Sequence, residues 1–517
     1  MRKRTIVITA VSVLVLIAMA VFAYIGIPRP EYEPYSYGSA DREKLPRMTL
    51  LNHQEIMHQV VGHPKMSVTN IGILVYDGVS TIEAISSMVV FSELMDVKVE
   101  YIGLQPGIVS TDLADIVVER SIDDVDQLDL LVVPGGTRAG LQAVLENAAL
   151  VDWIQRIDQG TKLTAGVGYG SLLLAEAGVL SDRQIAFSWP MAEENALAIG
   201  SRFDNGRYTQ DGKYWTSVSG TAAIDMSLAM VEAISGTNHL QGAMLDLEYD
   251  PAPPFEGGTA ETTPSEILDM LMASTYRQGE VTLLESSTLQ IPASNVSTET
   301  LQVGILVYDG FFTLDAIGPL AVLSQMEGAE VNLIRVGESE EIKSGRTRLI
   351  VPLSMSDVSA LDLLLIPGGS NGTWEMVQNA EVLEWIRMID SNSRYTTSVC
   401  TGSWVLGSAG LLENRQATTN WYRAGQMMER FGAQYVPERY TSDDKYWTSA
   451  GVSAGIDMSF ALIAEIRGEE AAQTAMLRLH YHPEPPIDAG TPEKTDDLVL
   501  DMMHQMYDFL MVPLIRN

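Results

Sequence analysis

The sequence is poor in the residues that build disulfides, metal centres and nucleic-acid surfaces. It contains one cysteine, Cys400, and seven histidines among 517 residues. A single cysteine excludes an intrachain disulfide, and the lack of a cysteine–histidine cluster argues against a structural zinc site. The chain has 33 basic and 67 acidic residues, which gives a formal net charge of −34. Because phosphate binding needs clustered lysine and arginine, this charge argues against a nucleic-acid partner. We also predict no metal and no other cofactor.

The chain contains two copies of one sequence pattern. Residues Gly72–Gly78 recur letter for letter as Gly304–Gly310, an offset of 232 positions (304 minus 72). Lys213–Ser217 recurs as Lys445–Ser449 at the same offset. Solenoid repeats are much shorter, about 20–50 residues each, so this period indicates a duplicated domain.

Each copy is long enough to bury a core of its own. We predict a first domain over residues 67–280 and a second over 301–517. The serine- and threonine-rich stretch between them, residues 281–300, is predicted to be a linker.

The amino-terminal segment differs from the rest of the chain. Residues 1–4 contain three basic side chains, and residues 5–27 are uncharged and mostly aliphatic. A helix of that length can cross a bilayer core of about 30 Å, and the basic cluster favours a cytoplasmic amino terminus. A cleaved signal peptide is the alternative, because Ala18–Ala20 offers a small-residue cleavage pattern. We therefore expect a single-pass protein of the cell membrane, with residues 28–66 as a tether and both domains outside the cytoplasm.

Within each copy, short apolar runs alternate with stretches of helical periodicity. Ile71–Tyr76 is a continuous apolar run, as expected for a strand covered on both faces, and Ile82–Leu94 has helical spacing. Leu163–Val167 is again strand-like. This alternation predicts two tandem α/β domains, each a doubly wound flavodoxin-like parallel sheet, preceded by the transmembrane helix. Ligands of such sheets bind at the carboxyl ends of the strands.

Cys400 lies between a strand-like run and a helix-like run, within Thr397–Ser403. A side chain on such a turn projects above the sheet, as in the nucleophile elbow of hydrolases. The helix that begins near Thr401 is expected to lower the pKa of the thiol. In the first copy, Ala165–Ser171 carries Gly168 in place of the cysteine. A lone cysteine can also be a small buried hydrophobic residue, but the turn favours a reactive thiol.

Several short motifs follow one another in the second copy. They are Val-Tyr-Asp-Gly, Pro-Gly-Gly, Ser-Val-Cys-Thr-Gly-Ser, Ala-Thr-Thr-x-Trp and Gly-Val-Ser-Ala-Gly-Ile-Asp. The set resembles the ThiJ/PfpI family of the class I glutamine-amidotransferase-like superfamily, and within it the isonitrile hydratases and the sensor domains of AraC-type regulators. The resemblance covers about residues 68–260 and 301–492. Since members of the family commonly form dimers, it implies that the two copies form an intramolecular pseudo-dimer.

The resemblance also implies roles for five residues of the second copy. Cys400 would be the nucleophile, Asp315 the acid that hydrogen-bonds it and passes a proton, and Thr401 the residue beside it. The backbone at Gly368 and Gly369 would line the oxyanion side of a bound substrate. Together they would add water to an isonitrile or a similar small electrophile. A helix-capping carboxylate is the alternative for Asp315.

One position in each copy departs from the family pattern near the expected catalytic centre. Many members carry a histidine about twenty residues after the cysteine, where this chain has Asn420 and its first copy Ser188. The departure argues against a Cys–His hydrolase. The first copy keeps Glu83 at the position of Asp315 but lacks the thiol, so we expect it to be catalytically silent.

A further difference concerns His480 and His482, which stand where the first copy has Glu248 and Asp250. As a His-x-His pair they could bind a metal or approach the site, but we interpret these histidines as surface substitutions. Two functions stay open for the chain as a whole. One is a cysteine-dependent hydratase or lyase acting on a small molecule, and the other is a non-catalytic ligand-binding or redox-sensing module.

Overall fold

The computed structural model of the protein describes residues 45–49, 51–277 and 300–515. Residues from Leu45 onward belong to one compact unit. The strands of the first copy are β1 (Asn70–Leu74), β2 (Lys98–Gly103), β3 (Gly107–Ser110), β4 (Asp115–Val118), β5 (Arg120–Ser121), β6 (Leu130–Val133), β7 (Leu163–Val167), β8 (Gln184–Ala186), β9 (Arg202–Asp204), β10 (Tyr208–Asp211) and β11 (Tyr214–Ser217). Those of the second copy are β12 (Leu301–Val307), β13 (Ala329–Arg335), β14 (Glu341–Ser344), β15 (Thr347–Ile350), β16 (Leu363–Ile366), β17 (Tyr395–Val399), β18 (Gln416–Ala417), β19 (Gln434–Tyr435), β20 (Tyr440–Asp443) and β21 (Tyr446–Ser449).

Helices connect these strands and cover the sheets. Those before and within the first copy are α1 (His53–Val61), α2 (Thr81–Ser92), α3 (Arg138–Leu145), α4 (Ala148–Asp158), α5 (Gly170–Glu176), α6 (Ala192–Ala198), α7 (Ala222–Ser235), α8 (Thr237–Asp246) and α9 (Ser265–Arg277). Those of the second copy are α10 (Thr313–Leu323), α11 (Asn371–Gln378), α12 (Ala380–Asp390), α13 (Gly402–Ser408), α14 (Ala424–Arg430), α15 (Val452–Arg467), α16 (Glu469–Arg478) and α17 (Asp497–Ile515).

Each copy is built on a mostly parallel sheet. The strand order is β10-β11-β7-β6-β1-β2-β5 in the first copy and β13-β12-β16-β17-β21-β20 in the second. Within these two sheets, the pairs β10–β11 and β20–β21 are antiparallel and the other pairs are parallel. Parallel neighbours require crossover connections, which the intervening helices provide. The predicted tandem of flavodoxin-like α/β domains is therefore confirmed.

The central strands and helices lie close to their predicted positions. β7 has the predicted bounds, and β1 begins one residue before the predicted apolar run. β6 and β16 are buried along their whole length, because helices cover both faces of a parallel sheet. Gly168 directly follows β7 and Cys400 directly follows β17, so both lie at the carboxyl edge of their sheets.

The two copies are packed against each other. Helix α2 of the first copy contacts α10 of the second, and almost every residue of both helices is buried. Strand β4 pairs with β15, which joins the hairpins β3–β4 and β14–β15 into one four-stranded antiparallel sheet. The hydroxyl groups of Tyr101 and Thr347 are hydrogen-bonded at 3.0 Å across the same contact. A helix that is apolar on every side requires such a partner surface.

Residues 281–299 of the predicted linker lie outside the described residues.

The expectations about the amino-terminal region change. The predicted anchor at residues 5–27 also lies outside the described residues. Across the described ranges no helix is long and apolar enough to span a bilayer, and we withdraw the assignment to the cell membrane. The predicted tether at residues 28–66 contains helix α1, which buries Ile56 and Val60 where it packs on α8 and α17.

Candidate active site

Cys400 lies on a strained turn between β17 and α13. Its φ angle is +56°, and that of Gly168 at the matching position is +51°. Residues with a side chain seldom adopt this left-handed conformation, which here directs the thiol above the carboxyl edge of the sheet. A Cβ atom at Gly402 would collide with the carbonyl oxygen of Ile366, so glycine allows α13 to begin this close to β16. Cys400 is half-buried.

Asp315 lies in the first turn of α10 with no solvent exposure. Its Oδ2 atom accepts a hydrogen bond of 3.2 Å from the backbone N–H of Gly368. Its Oδ1 atom has no N–H or O–H partner among the described residues. After burial, the charge of this carboxyl group is the next cause that raises the pKa of the Cys400 thiol, as expected for two groups that lie close together. The structure thus brings together the two groups to which the sequence assigned the chemistry.

The other predicted residues surround the same thiol. The hydroxyl of Thr401 accepts a hydrogen bond from the Gly369 N–H at 3.0 Å and donates one to the Gly369 carbonyl at 2.8 Å. A Cβ atom at Gly368 would lie 2.8 Å from the Cβ of Cys400. The N–H groups of both glycines already have protein partners, Asp315 for one and Thr401 for the other. A substrate could use these predicted oxyanion donors only by displacing those partners.

A carboxylate from the first copy completes the cluster, and the sequence did not indicate its role. Glu248 follows α8 with a φ angle of +44° and is 7% exposed. Its Oε1 atom accepts hydrogen bonds from the Trp421 N–H, at 3.1 Å, and from the Asn420 side-chain amide. Its Oε2 atom accepts one of 2.9 Å from the Gly451 N–H. Its own carbonyl accepts the Ser453 hydroxyl at 2.6 Å, so the second copy fixes both the backbone and the side chain.

Three acidic groups therefore share one buried cluster, and the surroundings raise the pKa of each. Burial raises the pKa of Glu248 to about 7, although three hydrogen-bond donors oppose the shift. Burial, and then the charge of Glu248, raises the pKa of Asp315 well above its ordinary value. Burial is also the largest cause for Cys400, followed by the charges of Asp315 and Glu248. The Thr401 N–H lowers the thiol pKa but is outweighed, so the prediction of a lowered pKa is wrong.

Helix α17 supplies an aromatic wall beside this cluster. The ring of Trp421 lies 4.9 Å from that of His504 and 5.0 Å from that of Tyr507, measured between centroids. The Tyr507 hydroxyl donates a hydrogen bond of 2.9 Å to Asp246 of the first copy. Burial raises the pKa of Tyr507 well above its ordinary value, and the charges of Asp246 and then of Cys400 add to the shift. Both copies thus contribute to the surroundings of one cysteine.

The matching place in the first copy is filled. A Cβ atom at Gly168 would lie 2.9 Å from the Cβ of Ser219 and closer still to its hydroxyl oxygen. The Ser219 hydroxyl is hydrogen-bonded to that of Ser188 at 2.6 Å. Distances below 3.0 Å to a Cβ atom require neighbouring atoms to move, so a nucleophile at position 168 has no room here. The absence of the thiol is therefore accompanied by loss of its space.

The acid of the first copy remains in place. Glu83 is 3% exposed and accepts 2.8 Å hydrogen bonds from the N–H groups of Gly135 and Gly220. Burial raises its pKa to about 8, against the effect of these two donors. Gly135 corresponds to Gly368 in the second copy, so the first copy keeps the acid and its backbone partner.

His480 is not on the surface, which corrects the interpretation of the two histidines. Its side chain is 9% exposed, and neither ring nitrogen has a hydrogen-bond partner among the described residues. Burial, and then the nearby charge of Arg207, lowers its pKa to about 4. His482 is half-buried. Within the described ranges, no group of three or more His, Cys, Asp or Glu side chains is arranged to hold a metal ion.

Comparison with known proteins identifies the family of the chain. An isonitrile hydratase of Pseudomonas putida is 35% identical over 201 residues, which cover 39% of this chain and 87% of that protein. Protein DJ-1 homolog A of Arabidopsis thaliana is 22% identical over 405 residues, 76% of this chain and 94% of that protein. The HTH-type transcriptional regulator GbdR of Pseudomonas aeruginosa is 25% identical over 190 residues, 35% of this chain and half of that protein. The sequence profile of the DJ-1/PfpI family matches residues 69–233 and 301–465, and the chain therefore belongs to the DJ-1/PfpI family.

Proposed function

We propose that the second copy adds water to a small isonitrile, with Cys400 as nucleophile and Asp315 as proton donor. The observation that carries this proposal is that Gly368 lies between a thiol on a strained turn and a fully buried carboxyl group. Its N–H donates to Asp315, and a Cβ atom on it would lie 2.8 Å from the Cβ of Cys400. The similarity to an isonitrile hydratase, which extends over 87% of that protein, supports the substrate class.

The raised pKa values of Cys400 and Asp315 suit a reaction in which the sulfur and a proton both bond to the terminal carbon of the isonitrile. The Cys400 sulfur bonds to the terminal carbon of R–N≡C, and Asp315 gives its proton to that carbon and then takes the proton of the thiol. The product is a thioimidate, R–N=CH–S–Cys. Water adds to the same carbon, the C–S bond breaks, and R–NH–CHO leaves as the thiol regains its proton. A free thiolate is not required, because a protonated Asp315 drives the first step.

The first copy acts in this proposal as a supporting partner of the second. It supplies Glu248, whose three hydrogen bonds hold a carboxyl group beside the thiol and Asp315. Together with the contact of α2 with α10, this supports an intramolecular pair in which one copy reacts.

The direct test is turnover by the purified full-length chain. Cyclohexyl isonitrile is the probe, and N-cyclohexylformamide is the product, measured by gas chromatography. Simple amides and small peptides are tested in parallel, since a hydrolase would cleave them. Formamide production that saturates with isonitrile is the expected result. Absence of turnover with a thiol that is alkylated at an ordinary pKa of about 8.5 would favour the non-catalytic module.

A redox-sensing module is the second candidate function, and the pKa of Cys400 distinguishes it from the enzyme. Redox-sensor cysteines are accessible and have lowered pKa values, which makes the thiolate available to oxidants. The pKa of Cys400 is raised instead. The alkylation profile therefore favours the enzyme if its midpoint lies above the ordinary value.

Asp315→Asn is expected to lower kcat/KM for the isonitrile by about 100-fold, the usual contribution of a positioned acid. Asparagine still accepts the Gly368 N–H but gives no proton to the substrate carbon. Glu83→Gln, the matched change in the first copy, should leave kcat/KM unchanged, because no thiol lies beside it. Steady-state kinetics of both variants decide the point. Equal losses in the two would show that Asp315 acts through stability alone.

Glu248→Gln is expected to move the alkylation midpoint of Cys400 to lower pH. Glu248 has a pKa of about 7, so above that pH its negative charge opposes ionisation of the thiol. Glutamine removes the charge. The rate of reaction with iodoacetamide between pH 6 and pH 10 measures the shift. His480→Gln at the matched position should produce none, and an unchanged profile for Glu248→Gln would contradict the proposed contact.

A further inference from the structure

We propose that the first copy contains a latent second thiol site for the same class of small electrophile, blocked jointly by Gly168, Ser219 and His480. This inference rests on the proposed role of Cys400 and its neighbours. It predicts that restoring the cysteine alone fails, whereas restoring all three positions succeeds.

The backbone of the first copy already has the form that the nucleophile requires. Gly168 and Cys400 have φ angles of +51° and +56°. The Gly168 N–H donates to the Ser217 carbonyl at 2.9 Å, and the Cys400 N–H donates to the Ser449 carbonyl at 3.0 Å. A Cβ atom at Gly170 would collide with the Val133 carbonyl, just as one at the start of α13 would collide with β16. The turn, the strand end and the helix start are therefore preserved without the thiol.

The acid of the first copy is preserved as well. Glu83 accepts the Gly135 N–H, as Asp315 accepts the Gly368 N–H. Both carboxyl groups are buried in the first turn of their helices. A thiol placed at position 168 would thus meet a carboxyl group in the position that Asp315 has beside Cys400.

Ser219 is the steric block. It aligns with Gly451, and the offset of 232 positions relates the two (451 minus 219). In the first copy, the Cβ and Cα atoms of Ser219 lie 2.9 Å and 3.0 Å from the position of a Cβ on Gly168. In the second copy Gly451 carries no side chain at this place, and a Cβ atom on it would meet Glu248. Cysteine is thus paired with glycine in the second copy, and glycine with serine in the first.

His480 is the second difference, and the opposite copy supplies it. It aligns with Glu248 (480 minus 248 is 232), and their φ angles are +48° and +44°. The carbonyl of His480 accepts the Thr221 hydroxyl at 3.2 Å, as that of Glu248 accepts the Ser453 hydroxyl. Because the backbones match, we expect the His480 side chain to point toward the centre of the first copy, as that of Glu248 points toward the centre of the second. His480 makes none of the hydrogen bonds of Glu248, and both of its ring nitrogens are left without a partner in the described chain.

The test uses the full-length chain with Cys400→Ala, which removes the sole thiol of the sequence. Gly168→Cys is introduced alone, then with Ser219→Gly, and then with Ser219→Gly and His480→Glu. The rate of alkylation by iodoacetamide is measured against pH, and thermal unfolding reports the fold of each variant. The cysteine-free background carrying Ser219→Gly and His480→Glu is the control for folding.

The triple change is expected to react at least about tenfold faster than Gly168→Cys alone at pH 8, with a raised midpoint like that of Cys400. Adding Glu83→Gln should then move this midpoint to lower pH, as removal of a neighbouring negative charge requires. Equal rates for the single and triple changes in folded protein would overturn the proposal. So would a midpoint that does not respond to Glu83.

Turnover separates this inference from the proposed function. If the wild-type chain forms no formamide but the triple variant reproduces the alkylation profile of Cys400, the latent site stands and the hydratase proposal fails. If the wild type turns over isonitrile and the triple variant neither alkylates nor turns over, the hydratase stands and the latent site fails.

Discussion

Cys400→Ala is expected to reduce the hydration of cyclohexyl isonitrile by at least about 1,000-fold, to the rate without enzyme. The sulfur forms the covalent bond to the substrate carbon in the proposed reaction, and the chain has no second cysteine that could replace it. The first copy cannot compensate, because Gly168 stands at its nucleophile position and Ser219 fills the space beside it. Formamide production by equal amounts of wild type and variant measures the effect.

The variant should remain folded, which thermal unfolding checks. Alanine removes only the sulfur atom, and the Gly368 N–H still donates to Asp315. Cys400→Ser serves as the second variant, since it keeps a hydrogen-bond donor at the same place and differs in nucleophilicity. Turnover by either variant at more than a few per cent of the wild-type rate would exclude Cys400 as the nucleophile.

The sequence was sufficient for the fold of each copy because buried parallel strands are continuous apolar runs. β7 lies at the predicted residues, and the turn after it contains Gly168 as expected. The turn after a strand predicted that Cys400 lies at the carboxyl edge of the sheet, and the resemblance to the ThiJ/PfpI family implied that Asp315 and Thr401 lie beside it. These features depend on short-range pattern and on one sheet topology.

The contribution of Glu248 depends on a different kind of information. It is 172 residues from Asn420 and 203 from Gly451 in the sequence, and its contacts exist only because the two copies are packed together. The repeat aligns Glu248 with His480, but this alignment does not show which way either side chain points. Its φ angle of +44° directs it toward the other copy, and such an angle has no signal in a non-glycine residue.

The predicted direction of the pKa shift of the Cys400 thiol was wrong for a related reason. The helix that begins after Cys400 is local and visible in the sequence, and its effect on a thiolate is favourable. Burial and two carboxyl groups, one of them from the other copy, oppose it and are larger. A balance between a local dipole and long-range burial requires the packed structure.

The second large effect is expected from a substitution of Gly451, which tests the space around the thiol and leaves the thiol itself in place. Its φ angle of −74° suits any residue, so the backbone does not require glycine. A Cβ atom there would lie 2.7 Å from the Cβ, 2.8 Å from the Cδ and 3.0 Å from the Cγ of Glu248. Three hydrogen bonds hold that side chain, so it has little freedom to move away.

Gly451→Ser is therefore expected to lower kcat/KM by about 100-fold or more and to slow alkylation of Cys400, while the chain stays folded. It reproduces in the second copy the serine that fills the first. Ser219→Gly is the matched control and should leave both rates unchanged, because it acts at the other centre. Glu248→Ala combined with Gly451→Ser should restore part of the alkylation rate, since the obstructing side chain is then gone. A Gly451→Ser variant with full activity would show that the thiol needs no such space, and that Ser219 does not explain the silence of the first copy.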